Sequence, residues 1–275
     1  MKKILKKLLI LFAVIIIFLG ISVGYGFGAK KISSDLTLSG LFNTEFYLTA
    51  HRGLSSIAPE NTAPALIEAG KAGYYAAEFD IVPTADGVWV LIHDDTVDRT
   101  MSGTGEVEKL TYAEIKEMTI DGGKGIENYP DLKISTLEEA IDICTEYSMR
   151  PMIEIKGGTA DDMQSVLDIV NAKGIKDSAI IIDFDKDRLS AMRALDSDIV
   201  LWHLTNTVDS ETIEYAKQNN AGIGFNFGNP KSYFYIKDAQ AEGITCASWT
   251  VDIPFVVDIL NAMGVDYITT NKILP

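Results

Sequence analysis

The sequence predicts an α/β protein, a closed (β/α)8 barrel, on three observations. Eight short β-rich runs alternate with helical stretches after residue 45. Together they fill about 230 residues, the length eight strand–helix units need. No G-x-G-x-x-G turn follows the first run, which sets aside a doubly wound nucleotide-binding sheet.

The runs fall at residues 46–50, 76–80, 151–155, 179–184, 199–204, 222–227, 244–250 and 266–270. Thr111-Tyr112-Ala113-Glu114 and Ser135-Thr136-Leu137-Glu138 have the S/T-x-x-E form that satisfies free N–H groups at a helix start. Asn61 and Asp252 are expected to cap the helices after the first and seventh strands, with Pro64 and Pro254 in their opening turns.

One segment breaks the alternation. Residues 88–93 form a ninth strand, joined to the second by Thr84-Ala85-Asp86-Gly87, and Asp-Gly between β-rich runs signals a hairpin. A turn centred on Ala85-Asp86 puts His93 opposite Glu78 and returns it to the barrel mouth. A register slip of one residue would turn that histidine away. Residues 95–134, rich in Gly, Thr and Asp, read as an insertion over the barrel top.

The first 31 residues are a separate object. Residues 8–28 carry no charge and follow four lysines. As a helix they span about 31 Å, enough to cross a bilayer, with the lysines on the cytoplasmic side. The expectation is a single-pass anchor (1–31), a linker (32–45) and a barrel (46–275) outside the cytoplasm. The rival is a cleaved signal peptide releasing a secreted protein. Residues 32–275 hold 18 basic against 39 acidic side chains, a net of −21. Such a surface repels nucleic acid, and an anionic substrate needs local positive charge or a metal. Cys144 and Cys246 lie about a hundred residues apart and read as small core residues. No pattern speaks to oligomeric state.

Barrel enzymes place their chemistry at the C-terminal ends of the strands. There this chain has His51 and Arg52, then Glu78-Phe79-Asp80, then Glu154-Ile155-Lys156, with Trp249 and Asn271 closing the last two strands. Period-two spacing puts Glu78 with Asp80, and Glu154 with Lys156, on one strand face. Three hard oxygen donors without cysteine suit one divalent cation, Ca²⁺ or Mg²⁺. Arg52 offers a planar fork to a phosphate and Lys156 a point charge. Two histidines, His51 and His93, suit a general acid and a general base near neutral pH. The combination points to phosphodiester cleavage. His203, in a strand without an acidic neighbour, reads as structural. Trp249 reads as a platform for a glycerol backbone, Glu60 as an orienting or secondary metal group, and Tyr233–Tyr235 as helix packing.

His51-Arg52-Gly53, Pro59-Glu60-Asn61-Thr62, Glu78-x-Asp80, Thr84-x-Asp86-Gly87, His93-Asp94 and Glu154-x-Lys156 resemble, in order and spacing, the glycerophosphodiester phosphodiesterase family. Trp249-Thr250-Val251 and Gly264-Val265-Asp266 extend the resemblance, which covers about residues 46–275. It implies a metal-dependent barrel that hydrolyses glycerophosphodiesters to glycerol 3-phosphate and an alcohol. It further implies metal binding by Glu78, Asp80 and Glu154, and acid–base work by His51 and His93. Phosphate contact falls to Arg52 and Lys156. The glycerol 2-hydroxyl attacks first in such enzymes, and the insertion covers the glycerol pocket. Substrate alternatives on the same site are a lysophospholipid, cleaved as by a phospholipase D, and an envelope glycerophosphate polymer. A non-catalytic glycerophosphate-binding module is the remaining reading. Asp252 and Asn271 depart from the usual pattern, Asn after W-T-V and T-D-x-P near the end, so the pocket edge and C-terminal packing are expected to differ.

Overall fold

The computed structural model describes residues 46–275. Eight parallel strands close into a barrel: β1 (Tyr47–Ala50), β2 (Ala76–Pro83), β4 (Arg150–Ile155), β5 (Ile180–Asp183), β6 (Val200–Thr205), β7 (Ala221–Asn226), β8 (Cys246–Trp249) and β9 (Tyr267–Thr270). Closure is made by β1, which pairs with both β2 and β9. Strand β3 (Trp89–Leu91) stands outside the ring, antiparallel to the end of β2. The anchor and linker expected over residues 1–45 lie outside the described residues; among those described, no helix is long and apolar enough to cross a membrane.

The barrel has two apolar zones because successive strand residues face opposite ways. Phe79, Ile81, Ile153 and Ile155 face the outer helices in the main core. Met152, Ile180, Ile182, Trp202, Leu204, Ala247 and Tyr267 fill the interior. Trp202 packs edge-on to Tyr267 at 4.7 Å and floors the space above. Residues 95–134 carry their own small core, in which Val97, Met101, Val107, Ile115 and Ile120 pack on Val82, Val90 and Ile92 of the hairpin. Cys144 and Cys246 are buried and free, their thiols pushed up to about 12 by burial.

Four local expectations need correction. The hairpin pairs Ile81 with Leu91 and Pro83 with Trp89, one residue off the expected register. The cause is a three-residue loop: Thr84 and Val88 close it through backbone and hydroxyl hydrogen bonds, and Gly87 takes φ 81°. His93 still reaches the mouth: the last bond of the hairpin runs from Ile92 N–H to Asp80 O, and the chain leaves the ladder at the histidine. The box expected at Ser135/Glu138 forms one residue later, at Thr136/Glu139, whereas Thr111/Glu114 forms as expected. Thr62, not Asn61, caps α1 (Ala63–Ala72). Ile253, not Asp252, precedes α8 (Pro254–Ala262), with no side-chain cap. Both displaced cap residues are drawn into the polar network at the mouth.

Candidate active site

The strand ends bring the predicted carboxylates together by register. Asp80 lies directly beside Glu154 across the β2–β4 ladder, and Glu78 sits one inward-facing position below Asp80. One carboxylate oxygen from each of Glu78, Asp80 and Glu154 lies within 4.8 Å of the others. Burial, then the charges of Asp80 and Glu154, push the Glu78 carboxyl well above its ordinary value. The same causes, burial first and Asp80 second, take Glu154 to about 7. Glu78 Oε2 accepts the backbone N–H of Arg52 at 2.7 Å, while Oε1 is buried without a partner among the described residues. An orphaned carboxylate oxygen in an all-oxygen, mutually repelling trio is the donor set a hard divalent cation fits.

Arg52 owes its position to a left-handed turn. Its φ is 55°, that of Gly53 is 72°, and a Cβ on Gly53 would meet the Ala65 backbone at 2.6 Å. The H-R-G motif is therefore a backbone requirement as well as a chemical one. The guanidinium donates from Nη1 to Glu60 at 2.8 Å and lies 3.4 Å from Asp80 through Nε, too poorly aimed for a hydrogen bond. Asn61, also left-handed, grips Asp80 twice: Nδ2 donates to Oδ2 at 2.8 Å and Oδ1 accepts the Asp80 N–H at 3.0 Å. Lys156 Nζ donates to Glu154 at 3.0 Å.

His51, Arg52, Glu78, His93, Glu154, Lys156 and Trp249 all line one cavity of about 260 Å³; Asp80 lies beneath its wall. His51 follows β1 where β9 delivers Asn271, and its Nδ1 meets Asn271 Oδ1 at 2.8 Å. Burial, then the neighbouring Arg52 charge, hold its imidazolium below the ordinary 6.5. His93 Nδ1 meets Asp94 at 2.7 Å, and Arg99, hydrogen-bonded to Asp94, brings that carboxyl down to about 2. An apolar wall that includes Met152, Ile182, Leu204 and Ala247 completes the lining. Phe184 packs edge-on to Trp249 at 5.6 Å and under Lys156 at 5.8 Å. Trp249 Nε1 has no partner among the described residues.

Several participants were not read from the sequence. Arg99 crosses from the insertion to bind both Glu60 and Asp94. Glu60 thus bridges Arg52 and Arg99, the orienting half of its expected role. Asn61 and Asp252, expected as helix caps, instead hold Asp80 and Asn271. The insertion buttresses the mouth through Arg99, while no residue of 95–134 is among those lining this cavity. His203 is buried behind the wall against Tyr215 and belongs to the scaffold.

Residues 51–274 match the family described as the glycerophosphoryl diester phosphodiesterase family. The chain belongs to that family. It is accordingly an enzyme, a glycerophosphodiester phosphodiesterase. Bovine glycerophosphodiester phosphodiesterase 1 is 33% identical over 237 residues, 74% of this chain and 71% of that protein. The human form is 33% identical over 170 residues, 59% of this chain and 51% of that protein, so the match spans about half its length. Among solved structures, a phosphodiesterase from Oleispira antarctica in complex with the product sn-glycerol-3-phosphate superposes with a TM-score of 0.75. It is 25% identical, over 86% of this chain and 96% of that one.

Proposed function

We propose that this phosphodiesterase hydrolyses glycerophosphodiesters to glycerol 3-phosphate and an alcohol, with Glu78, Asp80 and Glu154 holding one divalent cation, Ca²⁺ or Mg²⁺. The observation that carries the reading is the three-carboxylate cluster, two of whose members, Glu78 and Glu154, line one cavity with two histidines and two cations. When bound, the cation supplies charge compensation for the phosphoryl oxygens. The remaining work falls to side chains. Arg52 and Lys156 hold the phosphate, the first as a fork and the second as a point charge. His51, kept neutral by burial and by Arg52, accepts the proton of the attacking hydroxyl. His93, braced by the Asp94 carboxylate, delivers a proton to the leaving alcohol oxygen. Trp249 and Phe184 form an apolar side against which a glycerol backbone packs.

The lysine-flanked apolar run at residues 8–28 supports a barrel tethered to the cell membrane and facing outward, with cleavage and secretion as the alternative. The apolar wall also favours a second substrate, a lysophospholipid presented near that membrane. A panel decides: glycerophosphocholine, glycerophosphoethanolamine, lysophosphatidylcholine and a glycerophosphate polymer, each assayed for free alcohol and glycerol 3-phosphate. Release of both products from the first two supports the main reading. Turnover of lysophosphatidylcholine alone moves the assignment to the second, and binding without turnover moves it to a recognition module.

A further inference from the structure

His51 is held from behind by two residues that do not line the cavity. Asp252, between β8 and α8, accepts the Asn271 backbone N–H and the Thr270 hydroxyl on Oδ1, at 2.8 and 3.0 Å. Its Oδ2 accepts Asn271 Nδ2 at 2.8 Å. A carboxylate only accepts, so the amide nitrogen of Asn271 must face Asp252. Asn271 Oδ1 therefore faces the other way, where Ser55 Oγ at 3.1 Å and His51 Nδ1 at 2.8 Å converge on it. An amide oxygen also only accepts, so the hydrogen of the neutral imidazole must sit on Nδ1. That leaves the lone pair on Nε2.

We propose that Asn271 and Asp252 are positioning residues: through one amide they fix the ring orientation and Nδ1–H tautomer of His51 and present Nε2 to the substrate. The proposal rests on the acid–base reading of His51. The logic is that of partners which orient a functional histidine through its second nitrogen. The two histidines are braced by different chemistry. His93 faces a carboxylate, His51 an amide that orients the ring without adding a charge beside it.

The test uses the full chain labelled with ¹⁵N, in which three histidines give resolvable ring-nitrogen signals. The wild type is expected to show His51 as the Nδ1–H tautomer. Asp252→Asn keeps the shape but removes the group that decides which way Asn271 points. It should mix the His51 tautomers and lower kcat about 10-fold or more, with KM within about twofold. The double exchange Asp252→Asn with Asn271→Asp rebuilds the chain with the carboxylate next to His51. It should restore most of kcat, recover the single tautomer, and move the His51 limb of the pH–rate profile upward. A His51 tautomer unchanged in Asp252→Asn, or an exchange that neither restores rate nor shifts the limb, overturns the proposal. His51→Ala separates the parent reading: intact turnover there refutes acid–base use of His51, while the tautomer signals still decide what orients the ring.

Discussion

Glu78 Oε1 shows how the site departs from a self-sufficient fold. A carboxylate oxygen buried without a hydrogen bond is costly, and here its carboxyl group is clustered with two further acidic groups. Such an arrangement fits the proposed cation better than a purely structural role. The histidines give the sharpest prediction at this scale. His51→Ala and His93→Ala should each lower kcat about 10²-fold or more in a glycerophosphocholine assay, with the fold unchanged by circular dichroism. A variant that keeps the wild-type rate removes that residue from the proton-transfer scheme. The residues that meet at the mouth were legible in the sequence because the period of two aims E-F-D and E-I-K inward from the strand ends. Their supports were not. Asn and Asp are used alike at helix caps and in polar networks, so Asn61 and Asp252 read as caps until the fold showed Asp80 and Asn271 beside them. Nor does any periodicity tie Arg99 to Glu60, 39 residues away.

At the scale of elements, strands were readable in full and turns only in part. Each barrel strand is a compact β-rich run, and all eight appear within a few residues of their expected bounds. The hairpin register was missed by one because two- and three-residue loops ending in Asp-Gly look alike until the φ of Gly87 is known. The β1–α1 loop depends on a comparable detail. Gly53 sits at φ 72°, and an added Cβ would collide with the Ala65 backbone, which cannot yield as a flexible side chain would. Gly53→Ala should therefore cost about 1–3 kcal/mol in urea unfolding, and should weaken turnover by displacing Arg52. A variant as stable and active as the wild type would show that this loop tolerates a second conformation.

The whole molecule sets three cationic groups at the mouth of an acidic chain, whose residues 32–275 carry a net charge of −21. Arg52, Lys156 and Arg99 stand among the carboxylates they pair with. Stability should follow the buried acids. Glu154 moves from an ordinary 4.5 to about 7 on folding, so its protonated form contributes stability in full below about 4.5, and that contribution is gone above about 7. Chelated protein should accordingly lose Tm as pH rises through that window, and a divalent cation should raise Tm more at pH 8 than at pH 5. A flat difference across that range would argue against a cation among these carboxylates. The most direct measurement of the central claim is glycerol 3-phosphate release from glycerophosphocholine by protein stripped with EDTA, followed as Ca²⁺ or Mg²⁺ is returned. The account predicts no turnover in chelator and recovery on addition, and recovery lost in Glu154→Gln; undiminished hydrolysis in chelator would contradict it.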